Sequence, residues 1–126
     1  PSESEPFVLG LTGGSSPIGC YEQLAELNAA GLVSFENVVT FGMTEYLGLP
    51  NEHPQSYHSF MWNYLFSHID IPQRNINMLD GSAADAEVEC ARYEQKIEQY
   101  GGMNLFVAGL GTDGHIGYNE PGSSME

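Results

Sequence analysis

The segment 109–124, GLGTDGHIGYNEPGSS, contains the densest group of reactive side chains in the sequence. Asp113, His115 and Glu120 lie within eight residues of one another, and the glycines around them allow tight turns. A carboxylate beside an imidazole fixes the tautomer of the ring and raises its basicity. The segment therefore predicts an acid–base site that works near neutral pH. A structural loop and a metal site are the alternatives, although no HExxH or paired-cysteine spacing supports a metal.

A second candidate segment is LTGGSSP, residues 11–17. Gly13 and Gly14 allow the backbone to approach a ligand closely, and Ser15 and Ser16 add hydroxyl donors. The free N–H groups at the start of the following helix favour an anion. The segment is similar to a phosphate-binding loop that lacks the lysine of a P-loop, and the alternative is a plain turn in which Ser16 caps the helix.

The third candidate segment is TFGMTEYLGLP, residues 40–50, which follows an apolar, β-branched run. Thr44, Glu45 and Tyr46 present a hydroxyl, a carboxylate and a phenol in successive positions. Taken by itself, Glu45 is the reactive candidate, because it is the only carboxylate immediately after that strand. A solvated loop acid is the alternative for Glu45, and Tyr46 is expected to anchor the loop on the domain.

The elements that must position these loops alternate along the chain. Apolar runs predict strands at 6–11, 37–42, 75–79 and 103–111, and helical periodicity predicts helices from Pro17 to Gly31, at 56–69 and at 82–102. This alternation predicts an α/β fold with a mostly parallel sheet and helices on both faces. Ligands bind such sheets at the carboxyl ends of the strands, which is where all three loops lie.

The charge balance is strongly acidic, since 17 acids face three bases for a formal net charge of −14. Such a surface repels nucleic acid and anionic membranes. The bases are Arg74, Arg92 and Lys96, and none lies in the three loops. No apolar run reaches the roughly 18 residues needed to span a bilayer, so we expect neither nucleic acid nor membrane as a partner.

The 126 residues predict a single domain over 1–126, and Cys20 and Cys90 predict two reduced, buried thiols in a cytoplasmic protein. The chain begins on a strand and stops in a polar loop dense in reactive side chains. We therefore expect a fragment of a longer protein.

With its loops in this order, the chain resembles the glucosamine-6-phosphate deaminase family from about Phe7 to Ser124. The signatures are LGLTGGSSPIGCY, VVTFGMTEYLGLPNEHPQSYHSFMWN, IDIPQRNINMLDG and LFVAGLGTDGHIGYNEPGSS. The related 6-phosphogluconolactonases share the glycine-rich loop of residues 11–17 and the G-x-D-G-H loop, but EYLGLPNEHPQSYHSFM favours the deaminases. The resemblance implies a Rossmann-like three-layer α/β sandwich, incomplete relative to the family, and usually a homohexamer. It also implies conversion of glucosamine 6-phosphate and water to fructose 6-phosphate and ammonia, without a cofactor or metal.

The resemblance also implies roles for individual residues. His115 would help to open the sugar ring and pass protons, with Asp113 and Glu120 as its carboxylate partners. The loop from Gly13 to Ser16 would hold the sugar phosphate. Ser123 and Ser124 match positions that bind an allosteric effector in some members.

The chain departs from the family pattern at three points. The family has M-D-E-Y where this chain has Thr44, and that aspartate is the base that moves a proton between C2 and C1. A hydroxyl cannot replace a carboxylate base near pH 7, and the side chain of Glu45 should point the opposite way on an extended backbone. Thr12-Gly13 stands where the family usually has Pro-Thr or Ala-Thr before the glycine. The chain is also about half the family's length, and the other half normally brings the basic residues that clamp the phosphate.

These departures leave two alternatives to an active deaminase. One is a catalytically inactive sugar-phosphate-binding or scaffold fragment. The other is a 6-phosphogluconolactonase-like hydrolase, in which His115 would activate water and no base at C2 is needed.

Overall fold

The predicted alternation of strands and helices is present in a computed structural model, which describes residues 1–115 and 121–124. The strands are β1 Phe7–Leu11, β2 Val38–Gly42, β3 Ile76–Asn77 and β4 Leu105–Val107. The helices are α1 Ile18–Ala29, α2 Tyr57–Tyr64 and α3 Ala86–Gln99, with short 3₁₀ turns at Phe66–His68 and Gln73–Asn75. The chain order is therefore β1-α1-β2-α2-β3-α3-β4.

The four strands form one parallel sheet in the order β3-β2-β1-β4. β1 pairs with β2 in the register Leu9 to Thr40 and with β4 in the register Leu9 to Leu105. The chain winds outward from β1 to β3 and then returns to the other side of β1. This reversal creates a topological switch point between β1 and β4, the place where open α/β sheets bind ligands.

Side chains alternate between the two faces of the sheet, and each face is covered by helices. Leu9 and Leu11 of β1 belong to a core cluster with Tyr21 of α1 and Met61 of α2. Val8 faces the other way and joins a second cluster, which is formed with Val39, Phe41 and Tyr93 of α3. The mostly parallel, three-layer α/β prediction is confirmed.

The first helix ends as predicted but begins differently. Gly31 has φ of 74° and its N–H donates to Asn28 O, while Leu32 N–H donates to Leu27 O. This pattern is a Schellman motif, in which glycine relieves the strain of the left-handed conformation. The expectation that Ser16 caps the helix is wrong, because Pro17 occupies the cap position and no side chain caps the helix start.

The predicted helix over 56–69 is interrupted after Tyr64. Leu65 adopts φ −134° and ψ −63°, and the chain continues as a 3₁₀ turn. The break turns Phe66 into the core, whereas Tyr64 and His68 are exposed. Tertiary packing of Leu65 and Phe66 therefore overrides the helical periodicity.

Three other expectations need correction. The third helix and the last strand are shorter than predicted, because Asp85 caps α3 and β4 contains only three residues. Cys20 and Cys90 are free but exposed rather than buried.

Within the described residues, no helix is both long enough and apolar enough to cross a membrane.

Candidate active site

The loops that follow β1, β2 and β4 border one cavity of about 730 Å³ at the switch point of the sheet. A cavity of this size falls within the usual range for small-molecule sites. The lining combines residues of all three candidate segments with three others, Tyr57, Phe106 and Ala108. The segment residues are Thr12, Gly13, Gly14, Ser15, Ser16, Pro17, Met43, Thr44, Gly109, Leu110, Gly111, Thr112 and His115. The structure thus brings Gly13–Ser16, Thr44 and His115 together.

The loop after β1 is held by a tyrosine of the helix that follows it. The Tyr21 hydroxyl donates to Thr12 O at 2.5 Å and accepts from Thr12 N at 3.2 Å. The Thr12 hydroxyl donates to Val107 O at 3.0 Å, so the loop is also tied to β4. Burial raises the pKa of the fully buried Tyr21 from 10.0 to about 12, and its hydrogen bonds to Thr12 only partly offset that rise. The phenol is therefore a neutral structural group at working pH.

The loop after β2 is organised by Glu45. Its carboxylate accepts hydrogen bonds from the backbone N–H groups of Tyr57 and His58, at 2.9 and 3.0 Å, and from that of Tyr46 at 3.0 Å. Tyr57 and His58 are the first two residues of α2. Glu45 is thus not a simple solvated acid: it binds the start of a helix. Thr44, the preceding residue, is half-buried and lines the cavity.

The anchoring role expected for Tyr46 takes the form of a ring stack. Its ring lies parallel to that of Tyr57, with centroids 5.1 Å apart and an interplanar angle of 18°. Tyr46 nevertheless keeps 48% of its surface exposed.

The loop after β4 places a carboxylate against an imidazole. Asp113 Oδ1 lies 2.6 Å from His115 Nδ1 and also accepts from the His115 backbone N–H at 3.1 Å. The side chains are 37% exposed for His115 and 55% exposed for Asp113, so both are partly open to solvent. His115 lines the cavity and Asp113 does not. A compact turn supports the pair, since Gly111 N–H donates to His115 O and Gly114 N–H donates to Gly111 O.

Of the predicted site residues that the structure describes, Asp113, Ser123 and Ser124 do not line this cavity. Glu120 lies outside the described residues. Ser123 and Ser124 are exposed. Their role in effector binding stays a prediction.

The cavity contains no full positive charge among the residues that the structure describes around it. Arg92 pairs with Glu89 on α3, and Arg74 lines a small depression beside Glu36. An anion in this chain would therefore be held by backbone N–H groups and hydroxyls rather than by Arg or Lys. Over residues 1–115 and 121–124 no group of three or more His, Cys, Asp or Glu side chains has the arrangement needed to hold a metal ion.

Sequence reasoning missed two residues of this site. Tyr21 lies in α1, outside the three candidate segments, and its hydroxyl holds the loop after β1. Tyr57 lies in α2, also outside those segments, and it lines the cavity and lies against Gly13. A signal for Tyr57 was available, because it belongs to the segment that favours the deaminases over the lactonases.

A second cavity of about 870 Å³ lies on the other side of α2, beside the edge strand β3. None of the predicted site residues lines it. Its lining combines aromatic and polar side chains: Asn51, Glu52, Pro54, His58, Ser59, Trp62, Asn63, Phe66, Gln73, Ile76 and Met78.

The parallel sheet with a cavity at its switch point defines a Rossmann-like α/β protein. Residues 2–118 match the family described as glucosamine-6-phosphate isomerases/6-phosphogluconolactonase, and the chain belongs to this family. It is 62% identical over 125 residues to the glucosamine-6-phosphate deaminase of Bacteroides fragilis and 58% identical to that of Borreliella afzelii. These matches cover 99% of this chain but only 46–47% of the relatives, so the chain spans about half their length.

Solved structures agree with this assignment. A monomeric glucosamine-6-phosphate deaminase superposes with a TM-score of 0.88 at 42% identity, covering 94% of this chain and 49% of that one. The 6-phosphogluconolactonase of Thermotoga maritima superposes with a TM-score of 0.75 at 28% identity, covering 90% and 50%. The TM-score and the sequence identity are both higher for the deaminase structure than for the lactonase structure.

Proposed function

We propose that this chain carries the sugar-phosphate half of a glucosamine-6-phosphate deaminase site, and that Thr44 leaves the site without the base for proton transfer at C2. The observation that carries the proposal is the shared cavity: His115, held by Asp113, faces the same space as the Gly13–Ser16 loop. The relatives named as deaminases support the choice of substrate.

The phosphate would lie at the Gly13–Ser16 loop, next to the start of α1. Backbone N–H groups and the hydroxyls of Ser15 and Ser16 supply donors there, and the helix start carries a partial positive charge. Because no Arg or Lys lines the described cavity, binding should be weak and should depend on these neutral donors.

The Asp113–His115 pair is suited to ring opening. The Asp113 carboxylate accepts a hydrogen bond from Nδ1–H of His115, which leaves the unprotonated Nε2 as the basic atom of the ring. Nε2 can then take the proton of the anomeric hydroxyl and deliver it to the ring oxygen, which opens the ring to the aldehyde. Glu120 would assist His115, as the resemblance implies.

The next step needs a base at C2, and Thr44 occupies that position. The hydroxyl of threonine does not ionise near neutral pH, so it cannot remove a carbon-bound proton. Glu45 does not replace it, because the Glu45 carboxylate is occupied by the N–H groups of α2. We therefore expect ring opening without isomerisation or deamination.

The test is a chimera in which this chain replaces the matched 125 residues of the Bacteroides fragilis relative. Ammonia and fructose 6-phosphate are measured for the chimera and for its Thr44→Asp and Thr44→Asn variants. Restoring a general base should raise deamination about 10²- to 10⁴-fold in Thr44→Asp, and Thr44→Asn should not change it. Turnover at the relative's rate with Thr44 in place, or no gain in Thr44→Asp, would refute the assignment of this position.

A second candidate function is lactone hydrolysis, which needs no base at C2 and is therefore compatible with Thr44. It is supported by the likeness to the Thermotoga maritima lactonase, at lower identity than the deaminase. Hydrolysis of 6-phosphogluconolactone by the chain or the chimera would favour it. A scaffold without activity is expected to bind sugar phosphate and to turn over neither substrate.

The remaining expectations stay predictions. These are a single domain over 1–126, a homo-oligomer and a cytoplasmic location. A solved relative is described as monomeric, so sedimentation velocity should test the oligomeric state first.

A further inference from the structure

The feature that carries a further inference is the carboxylate of Glu45 at the start of α2. Oε1 accepts from Tyr57 N at 2.9 Å, and Oε2 accepts from His58 N at 3.0 Å. The first N–H groups of a helix have no partner within the helix and carry its partial positive charge. One ionised side chain, located 12 residues before Tyr57, satisfies two of them.

The next backbone N–H group at the start of α2 also has a hydrogen-bond partner. Ser56 Oγ accepts from Ser59 N at 3.0 Å and donates to Asn51 O at 2.7 Å. On the other side of the loop, Gly48 N–H donates to Gly81 O at 2.6 Å. The loop from Thr44 to Ser56 is therefore tied at both ends, and Glu45 is the charged contact between its beginning and α2.

The position of α2 determines where the Tyr57 side chain lies along the cavity. The Tyr57 ring lies directly against Gly13, so close that a Cβ at residue 13 would overlap its Cδ1 and Cε1 atoms. The same ring lines the cavity and stacks on Tyr46. Glu45 follows the cavity residue Thr44 in the chain and binds the start of α2. It thereby links Thr44 to the Tyr57 ring that lies beside the glycine-rich loop.

We propose that Glu45 is a positioning residue of the sugar-phosphate cavity, which acts by holding the first turn of α2 so that the Tyr57 ring forms a wall against Gly13. The inference rests on the proposed function, since the cavity is taken to bind a sugar phosphate. Glu45 does not itself line the cavity, so it would act on a ligand through Tyr57 and Thr44, which do.

The first test compares three variants of the 126-residue chain by titration with glucosamine 6-phosphate. Glu45→Gln keeps the size of the side chain, but its amide NH₂ cannot accept from His58 N–H. Its affinity should fall about tenfold, equivalent to about 1.4 kcal/mol. Glu45→Asp keeps the charge and should recover part of the affinity. Glu52→Gln is the matched control, because this acid of the same loop is exposed and makes no hydrogen bond with the described residues; its affinity should not change.

A double-mutant cycle separates positioning from a general effect on folding. If Glu45 acts through the Tyr57 ring, Glu45→Gln should lose most of its effect on affinity in a Tyr57→Ala background. Equal effects in both backgrounds, or unchanged affinity in Glu45→Gln, would overturn the inference while leaving the sugar-phosphate site intact.

A second readout needs no ligand. The ring current of Tyr57 acts on the Gly13 backbone, so the Gly13 amide resonance should shift in Glu45→Gln and remain in place in Glu52→Gln. If the unmodified chain binds no sugar phosphate, the proposed function fails, and this resonance still decides the positioning role. An unshifted Gly13 resonance in Glu45→Gln would refute it.

Discussion

Removal of the Tyr21 hydroxyl is the sharpest single test of how the site is built. In Tyr21→Phe the ring remains in the core between β1 and α1, where Tyr21 is fully buried. Only the hydroxyl is lost, and with it both contacts to the backbone of Thr12. The substitution therefore releases the loop after β1 without creating a large cavity.

The magnitude follows from those two contacts. The bond to Thr12 O is short, at 2.5 Å, and the bond from Thr12 N, at 3.2 Å, is weaker. Each intramolecular hydrogen bond contributes about 1 kcal/mol net, and a buried group left without a partner adds to the loss. We expect Tyr21→Phe to lower the free energy of unfolding by about 2 kcal/mol, which lowers the melting temperature of a domain of this size by about 8 °C.

Thermal unfolding followed by circular dichroism measures this loss, and titration with glucosamine 6-phosphate measures its effect on the site. Affinity should fall as well, because Thr12 leads directly into the Gly13–Ser16 loop. Tyr64→Phe is the matched control: this tyrosine is partly exposed, and its hydroxyl has no hydrogen-bond partner in the described part of the chain. A melting temperature of Tyr21→Phe within about 1 °C of the unmodified chain would refute the clamp.

The pH dependence gives an independent check. Burial raises the pKa of Tyr21 from 10.0 to about 12 and also raises that of Tyr93. A group whose pKa is higher in the folded than in the unfolded state stabilises the fold fully below the unfolded value. That contribution is lost as pH rises from 10 through about 12. The unmodified chain should therefore lose stability over this range, and Tyr21→Phe should lose less.

Two further substitutions test the framework around the site. Burial alone would raise the pKa of Asp70, but hydrogen bonds from Phe35 N, Ser34 and Asn28 outweigh this effect and lower it. Asp70→Ala should cost about 1 kcal/mol at pH 7, and stability of the unmodified chain should fall on acidification through the lowered pKa, as urea unfolding at several pH values will show. Gly13→Ala should displace Tyr57 and cost about 1–3 kcal/mol, while Gly19→Ala, where a Cβ has open space within α1, should stabilise by about 1 kcal/mol in the same experiment.

The order and type of the elements could be predicted because both depend on local patterns. β2 is β-branched and apolar, and the end of α3 follows from the glycine at 101. The extent of β4 could not be predicted from its apolar run over 103–111. Its ladder stops at Val107 because the partner residue, Leu11, is the last residue of β1.

The site shows the same division. That Asp113 can reach His115 follows from a spacing of two residues and a turn through Gly114. The role of Glu45 could not be predicted, because its partners lie 12 and 13 residues further on and become neighbours only when the loop folds back. An extended backbone predicts only that Glu45 points away from Thr44 and does not identify what it binds.

The sequence by itself determined the alternating α/β pattern, the three loops that carry reactive side chains, the family signatures and the missing carboxylate at Thr44. All of these depend on residue types and short spacings. Only the tertiary structure decided that β4 lies beside β1, which joins Thr12 to Val107 across 95 residues and brings the loops after β1 and β4 to one cavity. The physical reason is that strand order depends on which apolar faces are buried together, and that choice involves long-range contacts that no local pattern encodes.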